Sequence, residues 1–424
     1  MKILVTGATG FIGKALAVRL LRGGHQVVAC VHRSTNQYLP PGVDVIAVDF
    51  MRDTDEDAWL ARLVGVDAVI NAVGILRETR HASFAFLHYR APQALFRACH
   101  TLGVKRVIQI SALGADGQAQ SKYHRSKKAA DDALRGSDLD WTIVQPSVIF
   151  GSGGASTSLF LRLTSMPLVP LIGNGEQRMQ PLHIDDLSVL VMILLEQRQA
   201  IKQTIAAVGP TPVTMCEMLS TYRKLLHLGP ARFVKIPLMF MRGVARIGDI
   251  LHAGALSTET LNMLLRGNTA SAQAITAILG YAPRPLHDFI PPQDAPTNRL
   301  RAQWAWLRLP LLASIAIMWF AAGMVSWFYA RDEGLALLAN LGFSPRIAAL
   351  VFMSACGLNI ALGLATLFKP RSWLWLLQLG TVVFYTGALT LLAPGLWSDP
   401  FGPLVKNLPL AALLLTLAIT ETRD

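Results

Sequence analysis

Lys2-Ile3-Leu4-Val5-Thr6-Gly7-Ala8-Thr9-Gly10-Phe11-Ile12-Gly13 is the stretch that sets the fold. A short apolar run of strand character enters a turn with three glycines spaced three apart, and residues 14–22 then show helical apolar spacing. In a turn of this kind the first glycine permits the tight bend and the second lets backbone approach a pyrophosphate. The third lets the helix pack on the strand. The first helical N–H groups face the anion, so Gly7, Gly10, Phe11, Ile12 and Gly13 are candidate cofactor contacts.

Outward from this turn, strand-like apolar runs return at 26–31, 43–48, 68–72, 107–110 and 142–144, separated by helix-compatible segments. The alternation predicts an α/β fold with a Rossmann-like doubly wound parallel sheet. Beyond Phe150 the pattern loosens through Gly151-Ser152-Gly153-Gly154, Pro167, Pro170 and Pro181, as expected of a small substrate lobe. We expect an NAD(P)-binding domain over 1–290, a linker over 291–305 and an all-α transmembrane domain of about four helices over 306–424.

Composition supports the last of these. The chain is 52% hydrophobic, with mean hydropathy +0.40, more than a soluble enzyme usually carries. Residues 309–330, 347–368 and 372–398 contain no Asp, Glu, Lys or Arg, and each meets the roughly 20 residues needed to cross the hydrocarbon. A fourth run, 407–420, reaches only about 21 Å at 1.5 Å per residue. Arg299, Arg301 and Arg308 precede the first span, and Lys369 and Arg371 fill the turn between the second and third. The positive-inside rule then predicts a multi-pass protein of the inner (cytoplasmic) membrane with the Rossmann domain in the cytoplasm. Both termini on one side require an even number of spans, which favours the fourth. The apolar start is too short for a signal peptide.

The net charge of +12 is scattered, with no basic run interleaved with stacking aromatics, so we expect no nucleic-acid partner. It suits a protein held against an anionic lipid bilayer. Cys30, Cys99, Cys216 and Cys356 lack the paired spacing of a zinc site or a disulfide framework, and no metal is expected.

Where an acidic residue would hold the ribose of NAD, the sequence reads Val31-His32-Arg33-Ser34. A guanidinium suits a 2′-phosphate, so Arg33 favours NADPH over NADH, unless it is only a solvated surface residue. Asp49 and Phe50 follow the third strand and could place a carboxylate and a ring near adenine, or Asp49 could cap a helix. Ser111 follows the 107–110 strand, and in Tyr123-His124-Arg125-Ser126-Lys127 a helix would put Tyr123 and Lys127 on one face. An adjacent ammonium would lower the phenol's pKa and make Tyr123 a proton donor to a carbonyl, with Ser111 bonding the same oxygen. The plain alternative is a chance surface pair among other basic residues.

TGATGFIG at Thr6–Gly13, NAVG at Asn71-Ala72-Val73-Gly74, ISALGA from Ile110 and YHRSK from Tyr123 resemble the atypical and extended short-chain dehydrogenase/reductases over approximately residues 1–290. QPSVIFGSGG, GNGEQRMQPLHIDDL and LGYAPRPL are most similar to the branch of the nucleotide-binding accessory subunit of mitochondrial complex I. The resemblance implies that Ser111, Tyr123 and Lys127 occupy catalytic positions, that Asn71 to Gly74 and Lys127 contact the cofactor, and that Pro146 to Val148 lie beside nicotinamide. Two positions differ from the common pattern: Gln145 stands before Pro146 where Arg is usual, and no Asn stands around His88-Tyr89-Arg90. His183 with Asp185-Asp186 resembles a family segment in which we expect helix capping and not metal binding.

The tail, especially 393–409, resembles the DoxX-like four-helix membrane family, some members of which are linked to quinone-reducing enzymes. Lys406 and Asp399 could serve a quinone or sit at the interface. The expected function is a membrane-anchored NADPH-dependent oxidoreductase acting on an apolar, lipid-soluble carbonyl or quinone-like small molecule. One rival is an NADPH-binding scaffold or sensor for a membrane quinone-linked complex, and another is a nucleotide-sugar epimerase. Residues 233–241 are strongly apolar for a soluble lobe, and could roof a pocket, touch the bilayer or form core.

Overall fold

The structure, a computed structural model, describes residues 1–32, 39–197, 200–251, 257–368, 370–400 and 402–421. The chain divides into two compact units, Met1–Gln303 and Trp304–Asp424.

In the first unit seven strands form one parallel sheet: β1 (Lys2–Thr6), β2 (Gln26–Val31), β3 (Asp44–Ala47), β4 (Ala68–Asn71), β5 (Arg106–Ile110), β6 (Asp140–Pro146) and β7 (Gln203–Ala207). Their order is β7-β6-β5-β4-β1-β2-β3, so the direction of winding reverses between β1 and β4. Side chains alternate between two cores. Ile3 and Val5 of β1 meet Leu16 and Leu20 of helix Phe11–Arg22 and Leu187, Leu190 and Leu194 of helix Ile184–Glu196. Leu4 faces the other way, toward Trp59, toward Leu95 of helix Ala91–Thr101 and toward Leu134 of helix Lys122–Arg135. Strands buried on both faces read as continuous apolar runs, which is why the sheet was legible in sequence.

A third core, around Phe150, Phe160, Leu171, Tyr222 and Phe289, forms the smaller lobe. It also takes in Ile290, Ala295 and Ala302, from a stretch expected to be linker. That stretch is a 3₁₀ turn, Pro292–Asp294, running into helix Ala295–Phe328. Its prolines lie where a helix begins and lacks N–H partners anyway, so they start structure here and do not interrupt it.

The second unit is helical. Among the described residues three helices are long and apolar enough to cross a membrane: Pro292–Phe328, counted from its 3₁₀ turn, Pro345–Phe368 and Ser372–Leu392. Asn407–Thr420 is apolar but shorter. Two differences from expectation concern connections. The third helix ends at Leu392 and not near Ser398, because Pro394 cannot continue it and opens the 3₁₀ turn Pro394–Trp397. An extra helix, Arg331–Asn340, occupies the charged loop after the first span.

Several buried polar groups in this unit are paired across helices, while Trp306 Nε1, Asn359 Oδ1 and the Tyr385 hydroxyl have no partner among the described residues. Trp319 Nε1 donates to Gln378 Oε1 at 2.8 Å, and Gln378 Nε2 donates to Thr366 Oγ1 at 2.8 Å. Arg308 donates to both Glu421 oxygens at 2.6 and 2.9 Å, and Trp375 Nε1 donates to Glu421 at 3.2 Å. At the other end Asn407 donates to Thr386 Oγ1 at 2.8 Å. The last helix therefore runs antiparallel to Ser372–Leu392 and ends beside Arg308.

Candidate functional site: a nucleotide cavity beside a tyrosine helix

The glycine turn is built by steric necessity. Gly7 has φ +65°, and a Cβ there would lie 2.7 Å from the Ala72 carbonyl oxygen and 2.9 Å from Val73 Cα. A Cβ on Gly13 would lie 2.1 Å from the Gly7 carbonyl oxygen. Gly10 closes the turn by donating to Gly7 O at 2.9 Å, and caps helix Phe11–Arg22 without a side-chain bond. The helix thus begins with open N–H groups, as an anion site needs.

Against this turn lies a cavity of about 300 Å³. Gly7 and Gly10 form one wall, His32, Asp49 and Phe50 a second, and Ala72, Val73 and Gly74 a third. These residues follow directly on β1, β2, β3 and β4, at the carboxyl ends where the strand order reverses, the usual ligand position in an open α/β sheet. Phe50 is held edge-on by Trp59 at 5.4 Å, and half-buried Asp49 accepts from Met51 N–H at 2.9 Å. Arg33 lies outside the described residues.

Seven expected contacts among the described residues are not in the cavity wall, Gly13 and Lys127 included. Asn71 is consumed inside the sheet, accepting from Thr6 Oγ1 and donating to Gln109 Oε1 at 2.7 Å, because these three residues are neighbours in register on β1, β4 and β5. Phe11 lines a second cavity of about 780 Å³, which shares Thr9 and Gly10 with the first, is also lined by Lys14, Arg19, Tyr281 and Arg284, and is not lined by Ser111, Tyr123 or Lys127. Ile12 packs on the first core. Pro146 accepts from Leu113 N–H at 2.9 Å, and Val148 N–H donates to Asn268 Oδ1 at 3.1 Å.

Helix Lys122–Arg135 begins at Ser121, whose hydroxyl accepts from His124 N–H at 3.0 Å. The spacing does place Tyr123 and Lys127 on one face, and Asp131 continues it by one turn. Buried Lys127 donates from Nζ to Val73 O at 2.9 Å and to Ile110 O at 3.1 Å. It thereby ties the cavity wall to the residue before Ser111. Burial pulls its ammonium down to about 8, opposed by the Asp131 carboxylate. Asp131 is itself pushed up to about 6 by burial, against the opposing pull of Ser111, Lys127, Gln145 and Arg135. One of its oxygens has no hydrogen-bond partner among the described residues.

Two expected roles are corrected. Ser111 Oγ donates to Asp131 at 2.6 Å, so its proton is not free for a substrate oxygen while that carboxylate is ionised. The Tyr123 phenol is not lowered by Lys127, whose ammonium is turned to backbone carbonyls. It is pushed up to about 12 by burial and then by the Asp131 charge. Its ring meets Phe84, His88 and His124 edge-on at 6.1, 5.6 and 5.3 Å, and no described residue hydrogen-bonds its hydroxyl. At neutral pH Tyr123 is a protonated donor.

Sequence reasoning missed Asp131 and His88. The first could have been found by extending the Tyr123–Lys127 face by four residues. His88 sits on a single π-helical turn, Ala85–Arg90, of the type that often marks functional sites. Its Nε2 accepts from Ile75 N–H at 3.0 Å, so Nδ1 carries the proton and donates to Ser126 Oγ at 2.8 Å. Ser126 in turn donates to the Tyr123 carbonyl at 2.7 Å. Burial, aided by the Lys127 charge, pushes the imidazole down to about 2 and keeps it neutral. His183 caps helix Ile184–Glu196 by accepting from Asp185 N–H at 3.2 Å, and packs on Phe150 and Phe289.

Sheet order, glycine turn and cavity together define a Rossmann protein that binds a dinucleotide. Residues 7–159 match the NAD(P)H-binding family and residues 316–415 the DoxX-like family. The NADH dehydrogenase [ubiquinone] 1 alpha subcomplex subunit 9 of Arabidopsis thaliana is 29% identical over 58% of this chain and 63% of its own length. The ceramide reductase of Caulobacter vibrioides is 28% identical over 43% of this chain and 57% of its own. The chain thus spans less than two thirds of these curated relatives. The human epimerase family protein SDR39U1 with NADPH shares the fold, with a TM-score of 0.53, 22% identity and coverage of 68% of this chain and 97% of that one. MoeE5 in complex with UDP-glucuronic acid and NAD also shares it, with a TM-score of 0.53, 21% identity and coverage of 69% and 98%. The chain therefore carries an NAD(P)H-binding, oxidoreductase-like Rossmann domain related to the subunit 9 proteins, together with a C-terminal DoxX-like membrane domain.

Proposed function

We propose that this protein is a membrane-anchored, NADPH-dependent reductase of a lipid-soluble carbonyl or quinone-like substrate. The observation that carries the reading is the junction at Lys127, which joins the nucleotide cavity at Val73 to the helix bearing Tyr123 and to the Ser111 segment. NADPH held in that cavity by Gly7, Gly10 and the open helix start would supply a hydride. Tyr123, protonated and unpartnered, would give the proton to the substrate oxygen, and the third Nζ–H of Lys127 is available to a ribose hydroxyl. Arg33 motivates the preference for NADPH. The membrane domain and the ceramide reductase relative motivate the substrate class. The test is NADPH and NADH oxidation by the full chain in mild detergent, against a panel of quinones and apolar aldehydes and ketones. No oxidation of either nucleotide by any of them, with NADPH bound, would contradict the reading.

A second reading, a non-catalytic NADPH-binding scaffold, is favoured by Ser111 being committed to Asp131 and by the relation to the subunit 9 proteins.

We place the Rossmann domain in the cytoplasm. Arg308 and Arg371 lie at one end of the helical unit, and the Arg308–Glu421 pair brings the end of the last helix back to that end, as four crossings require. An alkaline phosphatase fused after Asp424 should be inactive. An active fusion contradicts the assignment.

A further inference from the structure

Helix Leu238–Leu251 carries more exposed apolar surface than a soluble lobe has reason to show. Met239 is 84% exposed, Phe240 64%, Ile247 56% and Val244 38%. At 100° per residue these four, with Gly243, fall within one arc of about 140°. The opposite face is the inner one. Ala245 is buried, Gly248 O accepts from Arg77 at 2.9 Å, and Asp249 accepts from Thr258 N–H at 3.2 Å.

Arg242 and Arg246, one turn apart and both exposed, border one edge of the apolar arc and form no ion pair among the described residues. Between Glu217 and Asp249 the sequence has no Asp or Glu at all, while Arg223, Lys224, Arg232, Lys235, Arg242 and Arg246 fall in that stretch. A protein-binding face would ordinarily mix both signs of charge. An apolar arc bordered by Arg242 and Arg246, neither paired among the described residues, in a stretch with no carboxylate before Asp249, instead complements an anionic lipid surface. The chain's own apolar helices hold it at a membrane, so a bilayer is the surface at hand.

We infer that the outer face of helix Leu238–Leu251 is a monotopic docking surface, its apolar arc lying at the headgroup–acyl boundary of an anionic bilayer and Arg242 and Arg246 at lipid phosphates. The docked face is mechanically joined to the candidate site. The next helix, Thr258–Arg266, holds Tyr123 N–H through Glu259 at 2.7 Å and the Gly114–Asp116 loop through Arg266 at 2.8–3.0 Å. Docking therefore fixes the orientation of the tyrosine site to the lipid, and it stands whether or not Tyr123 performs chemistry.

The test uses the full chain in nanodiscs with Phe240→Cys carrying an environment-sensitive fluorophore, the labelled parent serving as blank and Lys105→Cys as a solvent-side control. In discs containing phosphatidylserine the Phe240 label should be blue-shifted and quenched by spin labels on lipid tails, and the Lys105 label neither. Adding Arg242→Glu and Arg246→Glu should reduce the quenching while NADPH binding persists, which shows that the fold is intact. A water-like emission at position 240 without tail quenching overturns the proposal. So does a blue shift that persists in detergent and grows with protein concentration, since the face would then be covered by a second copy of the chain.

Discussion

The glycine turn and the tyrosine helix stand side by side and are built on opposite principles. The turn is set by shape: Gly7 and Gly13 are fixed because any Cβ would strike backbone, and what it would offer an anion is backbone N–H groups. The tyrosine helix depends on side chains whose properties come from burial, with Lys127 pulled down to about 8 and Asp131 pushed up to about 6. A site of the first kind fails in steps of shape, and one of the second kind fails in steps of pH.

The largest effect should therefore come from the turn. Gly7→Ala must adopt φ +65° and place its Cβ 2.7 Å from the Ala72 oxygen, so fluorescence titration should find no NADPH binding. Binding at parental affinity would break the comparison, because the turn would then tolerate side chains.

The next effect is a pH dependence centred on Asp131. Its folded pKa of about 6 exceeds the ordinary 3.8, so the folded protein holds the extra proton between these values. The contribution to stability is fully present below the ordinary value and is lost as pH rises through about 6, with a slope of at most about 1.4 kcal/mol per pH unit. Asp131→Asn should flatten thermal melting between pH 4 and 6. It should also move the loss of the Lys127 charge to lower pH, since the opposing carboxylate is gone. Identical melting profiles for parent and variant would show that the carboxylate is not buried as described.

A smaller effect is expected at His88, which links the two regions. His88→Ala leaves the Ile75 N–H without its acceptor and should cost about 1–3 kcal/mol of stability, with weaker NADPH binding. His88→Asn, which keeps an acceptor and a donor, should recover part of both. If the alanine variant matches the parent in melting and titration, the imidazole is not the tie between the regions.

The same contrast explains what could be read from sequence. The turn, the sheet and the three long apolar helices are local patterns of glycine spacing and hydropathy, and they stand where the sequence puts them. Tyr123 and Lys127 were legible as a helical face, but the direction of the Lys127 ammonium depends on carbonyls of Val73 and Ile110, 54 and 17 residues away. Ser111 looks like a free hydroxyl in the sequence because its acceptor, Asp131, is 20 residues on. The motif suggests Asn71 as a cofactor contact, whereas its register beside Thr6 and Gln109 turns its side chain to bonds within the sheet. Residues 291–305 looked like a linker because proline and polar residues suit both linkers and helix starts, and only the third core distinguishes the two.

The most direct measurement compares Tyr123→Phe with the parent in single-turnover NADPH oxidation, using whichever apolar carbonyl or quinone the parent reduces. The substitution removes one hydroxyl that no described residue bonds, so fold and NADPH affinity should be unchanged. The rate should fall by about 10²- to 10⁴-fold, the usual contribution of a positioned acid. A Tyr123→Phe protein that oxidises NADPH as fast as the parent would contradict the assignment of Tyr123 as proton donor. If that variant also supports the host's membrane function where Gly7→Ala does not, the nucleotide-binding scaffold is the reading that survives.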